Sequence, residues 1–211
     1  MRRTLISGVL LACAVATTAT AQTIWIAPAG AAISYQERGE LVQLDGFGFG
    51  GVAGLRIGPM SVEGEGYLAT LNPDDETALT ESVKFKQLDV RLGFDIVSAV
   101  TLQVGMSTRL ADPEFSVHDV GFIRVGVKSQ QSIARIAKVW VRGAYLVAPK
   151  FNTGGDAGFA FELGLGTFVG APSGRFGVLV QYDFQRIDRS VATEAFPVQL
   201  MVAKVGLQLG I

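Results

Sequence analysis

Apolar and polar residues alternate one by one along much of this 211-residue chain, a period of two that only extended strands with two chemically different faces can use. From Arg175 to Phe184 the even positions are Phe176, Val178, Val180, Tyr182 and Phe184, and the odd ones are Arg175, Gly177, Leu179, Gln181 and Asp183. The split recurs with Phe159, Phe161, Leu163 and Leu165 against Ala160, Glu162, Gly164 and Gly166. It recurs again with Leu88, Val90, Leu92, Phe94 and Ile96 against Asp89, Arg91, Gly93 and Asp95. Although 49% of the residues are apolar, no run after the first twenty is long enough to cross a bilayer as a helix. With 26 glycines and 18% charged residues, the chain fits neither a disordered segment nor a charged, helix-rich soluble domain. A lipid-facing surface made of strands accounts for the whole pattern.

The alternation predicts ten strands, near 24–36, 44–57, 60–71, 83–96, 99–110, 118–129, 133–148, 157–170, 174–188 and 196–211. The first is interrupted by Pro28 and the third by Glu63-Gly64-Glu65-Gly66; without these two the count is eight. Gly58-Pro59, Val97-Ser98, Ser129 to Ser132 and Ala171 to Gly174 are short connections. They alternate with longer, more polar ones at Glu37 to Gln43, Asn72 to Ser82, Ala111 to Val117, Pro149 to Asp156 and Asp188 to Ala195. Short turns at one end and loops at the other define an all-β, closed antiparallel up-and-down transmembrane β-barrel, its turns periplasmic and its loops extracellular. An even strand count returns both termini to the periplasm.

The N-terminus points the same way. Arg2 and Arg3 precede the apolar stretch Leu5 to Ala16, which is too short for a membrane helix, and Ala19-Thr20-Ala21 supplies a small-residue cleavage site. The expected organisation is therefore a secretory signal peptide over 1–21 and an outer-membrane β-barrel domain over 22–211 in a Gram-negative cell envelope. The competing reading makes Leu10-Leu11-Ala12-Cys13 a lipobox with Cys13 lipidated. Cleavage after Ala21 leaves no cysteine and 16 basic against 19 acidic residues, and no nucleic-acid footprint is visible.

These features together resemble the outer-membrane protein β-barrel domain family, the small barrels of the opacity-protein and outer-membrane protein A type. The resemblance rests on the leader, on glycine-rich strands such as Gly46-Phe47-Gly48-Phe49-Gly50-Gly51, and on a final strand with Val205, Leu207, Leu209 and Ile211 on one face. It implies a monomer among outer-membrane lipids, assembled with periplasmic chaperones and the barrel-insertion machinery, and without the peptidoglycan-binding domain of some relatives. Family members commonly end in an aromatic residue; Ile211 departs from that pattern.

Projected outward, Phe47, Phe49, Tyr145, Phe159, Phe161, Tyr182 and Phe184 make an outer aromatic belt, and Phe94, Phe176 and Trp25 a sparser inner one. Projected inward, Arg56, Arg91, Arg109, Arg124, Lys128, Lys138, Arg142, Arg175 and Lys204 face Glu63, Glu65, Asp89, Asp95, Glu162 and Asp183. A narrow barrel is filled by such side chains, since an aqueous channel takes about 16 strands. Arg142 and Glu162 are expected to lie directly opposite each other. The function read from this is a structural or surface-exposed membrane protein, a porin-like pore for small ions at most, with no cofactor and no enzyme activity. Two alternatives belong to other classes. One is a soluble periplasmic barrel binding an apolar ligand; the other is an outer-rim hydrolase using His118, the single histidine, with Asp74 and Asp75.

Overall fold

A computed structural model describes residues 22–37, 42–74, 81–133, 136–152, 155–170, 175–192 and 194–210. The proposed leader, Cys13, Asp75 and Ile211 lie outside them. Ten long strands form the wall: β1 (Gln22–Glu37), β2 (Val42–Ile57), β3 (Met60–Pro73), β4 (Val83–Val97) and β5 (Val100–Leu110), then β6 (Val120–Ile133), β7 (Ala137–Phe151), β8 (Asp156–Gly170), β9 (Phe176–Val191) and β10 (Val198–Gly210). A two-residue ladder, Glu194–Ala195, extends β9. Every strand pairs antiparallel with its chain neighbours, and β1 pairs with β10, with Ala31 opposite Lys204 and Tyr35 opposite Leu200. The sheet thus closes on itself and has no free edge. Strands of 11 to 16 residues exceed the roughly 9 to 11 that a tilted strand needs to cross a bilayer.

The alternation sets which way each side chain points. Along β4, Val83, Phe85, Gln87, Asp89 and Arg91 are buried in the lumen, while Leu88, Leu92 and Phe94 are more than half exposed outside. A soluble barrel has the opposite polarity. Both strands of ambiguous sequence are complete: Pro28 lies in β1, and Glu63 to Gly66 lie within β3 with Glu63 and Glu65 inward.

Several expectations need correction. Trp25 belongs to the interior, because β1 turns its odd positions inward, and its ring lies over Gly54 of β2 rather than in an interfacial belt. Arg142 is opposite Gly164, and Glu162 opposite Ala144, so the β7–β8 register is shifted by two residues from the expected one. The connection is centred one residue beyond Asn152, because β7 runs to Phe151 and β8 starts at Asp156. Ala148, at a φ of 47°, accompanies a register shift on the β6 side of β7, and a second shift falls between Ala157 and Ala160.

The third long connection contains a 3-10 turn, Pro113–His118, where an open loop was expected. Proline suits the first turn position, which needs no N–H donor. Asp112 accepts from the Phe115 N–H through its carbonyl at 2.8 Å and from the Lys84 N–H through its side chain at 3.2 Å. Asp119 then closes the turn by accepting from the Ala111 N–H at 2.7 Å.

Candidate functional site

The lumen is layered along the barrel axis, and each layer follows from the inward residues at one height of the strands. At the loop end the inward positions are apolar: Leu44, Leu71, Phe85, Leu146 and Ile187 are 0–1% exposed and form one contiguous core. The 3-10 turn lies on this core through Phe115. Its last residue, His118, points inward, where Nδ1 lies 3.0 Å from the Tyr35 hydroxyl and 3.3 Å from Glu37 Oε2. Glu37 also accepts from Arg189 Nη1 at 2.7 Å, and the Arg189 guanidinium lies 4.9 Å from the Phe151 ring centre. Three strands, β1, β7 and β9, and the turn are tied together there.

Half of this cluster escapes the sequence reading. Glu37 and Arg189 fall in the polar stretches Glu37 to Gln43 and Asp188 to Ala195, which the sequence predicts as loops. The missed signal is that the inward parity continues through them, as Ile33, Tyr35, Glu37 and as Gln185, Ile187, Arg189. His118 meets Glu37 and Tyr35 rather than Asp74, whose backbone N–H donates to the Gln43 carbonyl. With Nδ1 facing two oxygens and the residue 6% exposed, the imidazole fastens the turn to the wall.

Below the cap runs a layer of buried ions. Arg91 Nη1 donates to Glu65 at 2.7 Å and to Glu63 at 2.8 Å. Arg124 bridges Asp89 at 2.6 Å and Glu162 at 3.1 Å. Arg142 joins Asp183 at 2.7 Å to Glu162 at 3.3 Å, so the expected partners do meet, diagonally. Lys204 donates to Asp183 at 2.8 Å and to Glu65. Each guanidinium or ammonium bridges two carboxylates, so no member of this layer depends on one partner. Arg109 differs: it is 1% exposed and donates to the amide oxygens of Gln87 and Gln185, with no carboxylate partner among the described residues. Such a layer is locked, because removing one member leaves another charge in low dielectric.

Toward the turn end a cavity of about 330 Å³ opens. Trp25, Trp140, Arg56, Lys128, Lys138 and Gln103 line it, with the ion layer as its floor. Phe94 and Phe176 remain outside, 53% and 54% exposed. At the opposite end the outer belt is continuous: Tyr145, Phe159, Phe161 and Phe184 follow one another at ring-centre distances of 5.6 to 5.8 Å. Among the described residues no group of three or more His, Cys, Asp or Glu is placed to hold a metal ion.

No family model and no curated protein matches the chain. Among solved structures it is similar to the outer membrane protease OmpT from Escherichia coli, at 10% identity and a TM-score of 0.57, over 90% of this chain and 96% of that one. It also matches Neisserial surface protein A at 14% identity and a TM-score of 0.42, over 88% and 96% of the two chains. The translocator domain of the autotransporter NalP from Neisseria meningitidis matches at 10% and 0.43, over 97% and 94%. The OmpT likeness carries the fold: this chain has the closed antiparallel barrel of outer-membrane proteins.

Proposed function

We propose that the chain is an integral outer-membrane protein with a structural or surface-exposed role and a closed lumen. Both termini lie in the periplasm and the long connections lie outside the cell. The observation that carries this reading is the polarity of the wall. Leu88, Leu163 and Val205 are 52–59% exposed on the outside, while Glu65, Asp89, Arg91 and Glu162 are buried inside. Water would solvate that exterior poorly, whereas acyl chains solvate it well. A soluble barrel for an apolar ligand would need the reverse arrangement. The ion layer and the apolar cap in series oppose conduction, since a permeating ion would have to part buried pairs and then cross a dry core.

The test is fractionation with electrophoresis of heated and unheated samples, followed by reconstitution into planar bilayers. The reading expects recovery in detergent extracts of outer membranes, a mobility shift on heating, and no sustained conductance. Recovery from the soluble periplasm would overturn the membrane reading, and stable channels of porin-like conductance would overturn the closed lumen. On intact cells, protease should cut between Asn72 and Ser82 and spare Gly58-Pro59; the reverse would invert the topology.

A further inference from the structure

The turn-end cavity has features that the wall itself does not require. Both tryptophans of the chain line it, Trp25 and Trp140. Each ring is laid against a cross-strand glycine: a Cβ at Gly54 would fall 2.0 Å from Trp25 Cζ2, and one at Gly166 would fall 2.2 Å from Trp140 Cζ2. Any larger residue at either glycine would push an indole into the cavity. The glycines therefore set the rings along the wall and keep the space open.

The charges are unbalanced there. Arg56 is paired with Asp95 at 3.1 Å, and Glu63 is engaged by Arg91 at 2.8 Å. Lys128 reaches Glu63 only at 3.9 Å and stands 5.3 Å from the Trp140 ring centre. Lys138 is exposed to the cavity with no carboxylate partner among the described residues. Three amides, Gln103, Gln130 and Gln208, line the same space without a side-chain partner among the described residues. One ammonium group unpaired among the described residues, Lys138, a second held only loosely by a carboxylate, Lys128, three open amides and two fixed indoles converge on a space at the low end of the roughly 300 to 1,000 Å³ typical of ligand sites.

We propose that this vestibule binds a small sugar acid, a solute of monosaccharide size carrying one carboxylate. Its carboxylate meets Lys128 and Lys138, its hydroxyls meet the glutamine amides, and its C–H face lies on an indole. The ion layer below stops passage, so the site is one of capture and not of transport. The inference does not rest on membrane orientation, because the cavity belongs to the barrel in any medium.

The two tryptophans make the test direct, since the only indole fluorophores of the chain line the cavity. Folded protein in detergent micelles is titrated with glucuronate and, separately, with glucose, up to about 10 mM, where even a millimolar site is mostly filled. The expected result is a saturable fluorescence change with glucuronate and an affinity for glucose at least about tenfold weaker, the loss of one charge-assisted contact. The double variant Lys128→Met with Lys138→Met should lose the same factor or more. Lys138→Met alone, at an exposed residue whose loss leaves the fold intact, should lose part of it. Heat-modifiable mobility reports that each variant is folded. No saturable change with glucuronate overturns the site. Equal binding of glucose and glucuronate, or unchanged affinity in folded Lys138→Met, overturns the carboxylate recognition.

Discussion

The loop-end and turn-end halves of the lumen are built from the same ten strands, with the same side-chain alternation, and they are filled by opposite chemistry. Along β9 the inward residues run from Leu179 through Gln181, Asp183 and Gln185 to Ile187 and Arg189, while the outward ones remain Phe176, Val178, Val180 and Tyr182. The outside meets one medium and stays apolar from Phe176 to Phe184, with the Arg186–Asp188 pair following at the loop end. The inside has no medium of its own, so each height is free to be a core, an ion lattice or a cavity. What fills a height then decides how it fails: the ion layer resists losing one partner, and the apolar cap resists losing volume.

The largest effects should come from breaking the ion layer on one side. Glu65→Leu leaves both Arg91 and Lys204 short of a carboxylate and should cost about 3 to 5 kcal/mol in denaturant titration of barrels folded in vesicles. Adding Lys204→Met should recover much of that loss as a coupling energy, since Asp183 keeps Arg142 at 2.7 Å. Additive losses would show that the layer is a set of independent contacts. In the cap, Leu146→Ala opens a cavity at a residue with 0% exposure and should cost about 2 to 5 kcal/mol, with no charged partner able to rescue it.

On the outer wall, Leu163→Arg places a charge at mid-strand against acyl chains and should cost roughly 2 to 4 kcal/mol, although the site is 52% exposed and touches little protein. A neutral result there would erase the difference between inside and outside. Its sequence neighbour is not the harmless control that its inward glycine suggests, because a Cβ at Gly164 would lie 2.5 Å from Asp183 Oδ1 and 2.6 Å from Arg142 Nε. The smallest effect sharpens the boundary between the two halves. Arg109→Met removes a buried cation that has no carboxylate to strand, and should change stability by about 1 kcal/mol or less under the same titration. A loss as large as that of Glu65→Leu would make Arg109 a full member of the ion layer.

The wall was legible in the sequence because period two is local: residues such as Leu88 and Asp89 declare their faces without reference to anything distant. The inward charges followed from the same parity. The closing end was not legible, because its contacts are long-range. Arg189 and Glu37 are 152 residues apart, and neither sits in an apolar run that marks a strand. Nor does spacing reveal register, which follows where the strands end: β7 runs on to Phe151 and β8 starts at Asp156, so Arg142 meets Gly164. Trp25 is ambiguous in the sequence for a different reason. An aromatic residue near a strand end fits an interfacial belt by composition, and only the opposing Gly54 shows where the ring has room to lie.

The claim on which the rest depends is that the apolar face of the strands points to lipid. It is tested most directly by a spin-label scan of β9, one label at a time from Phe176 to Phe184, in folded barrels in vesicles, comparing collisions with dissolved oxygen and with a water-soluble nickel chelate. The expected profile oscillates with a period of two, oxygen contact being greatest at Phe176, Val178, Val180 and Tyr182 and least at Leu179, Gln181 and Asp183. A flat profile, or one with its maxima at Leu179, Gln181 and Asp183, would contradict it.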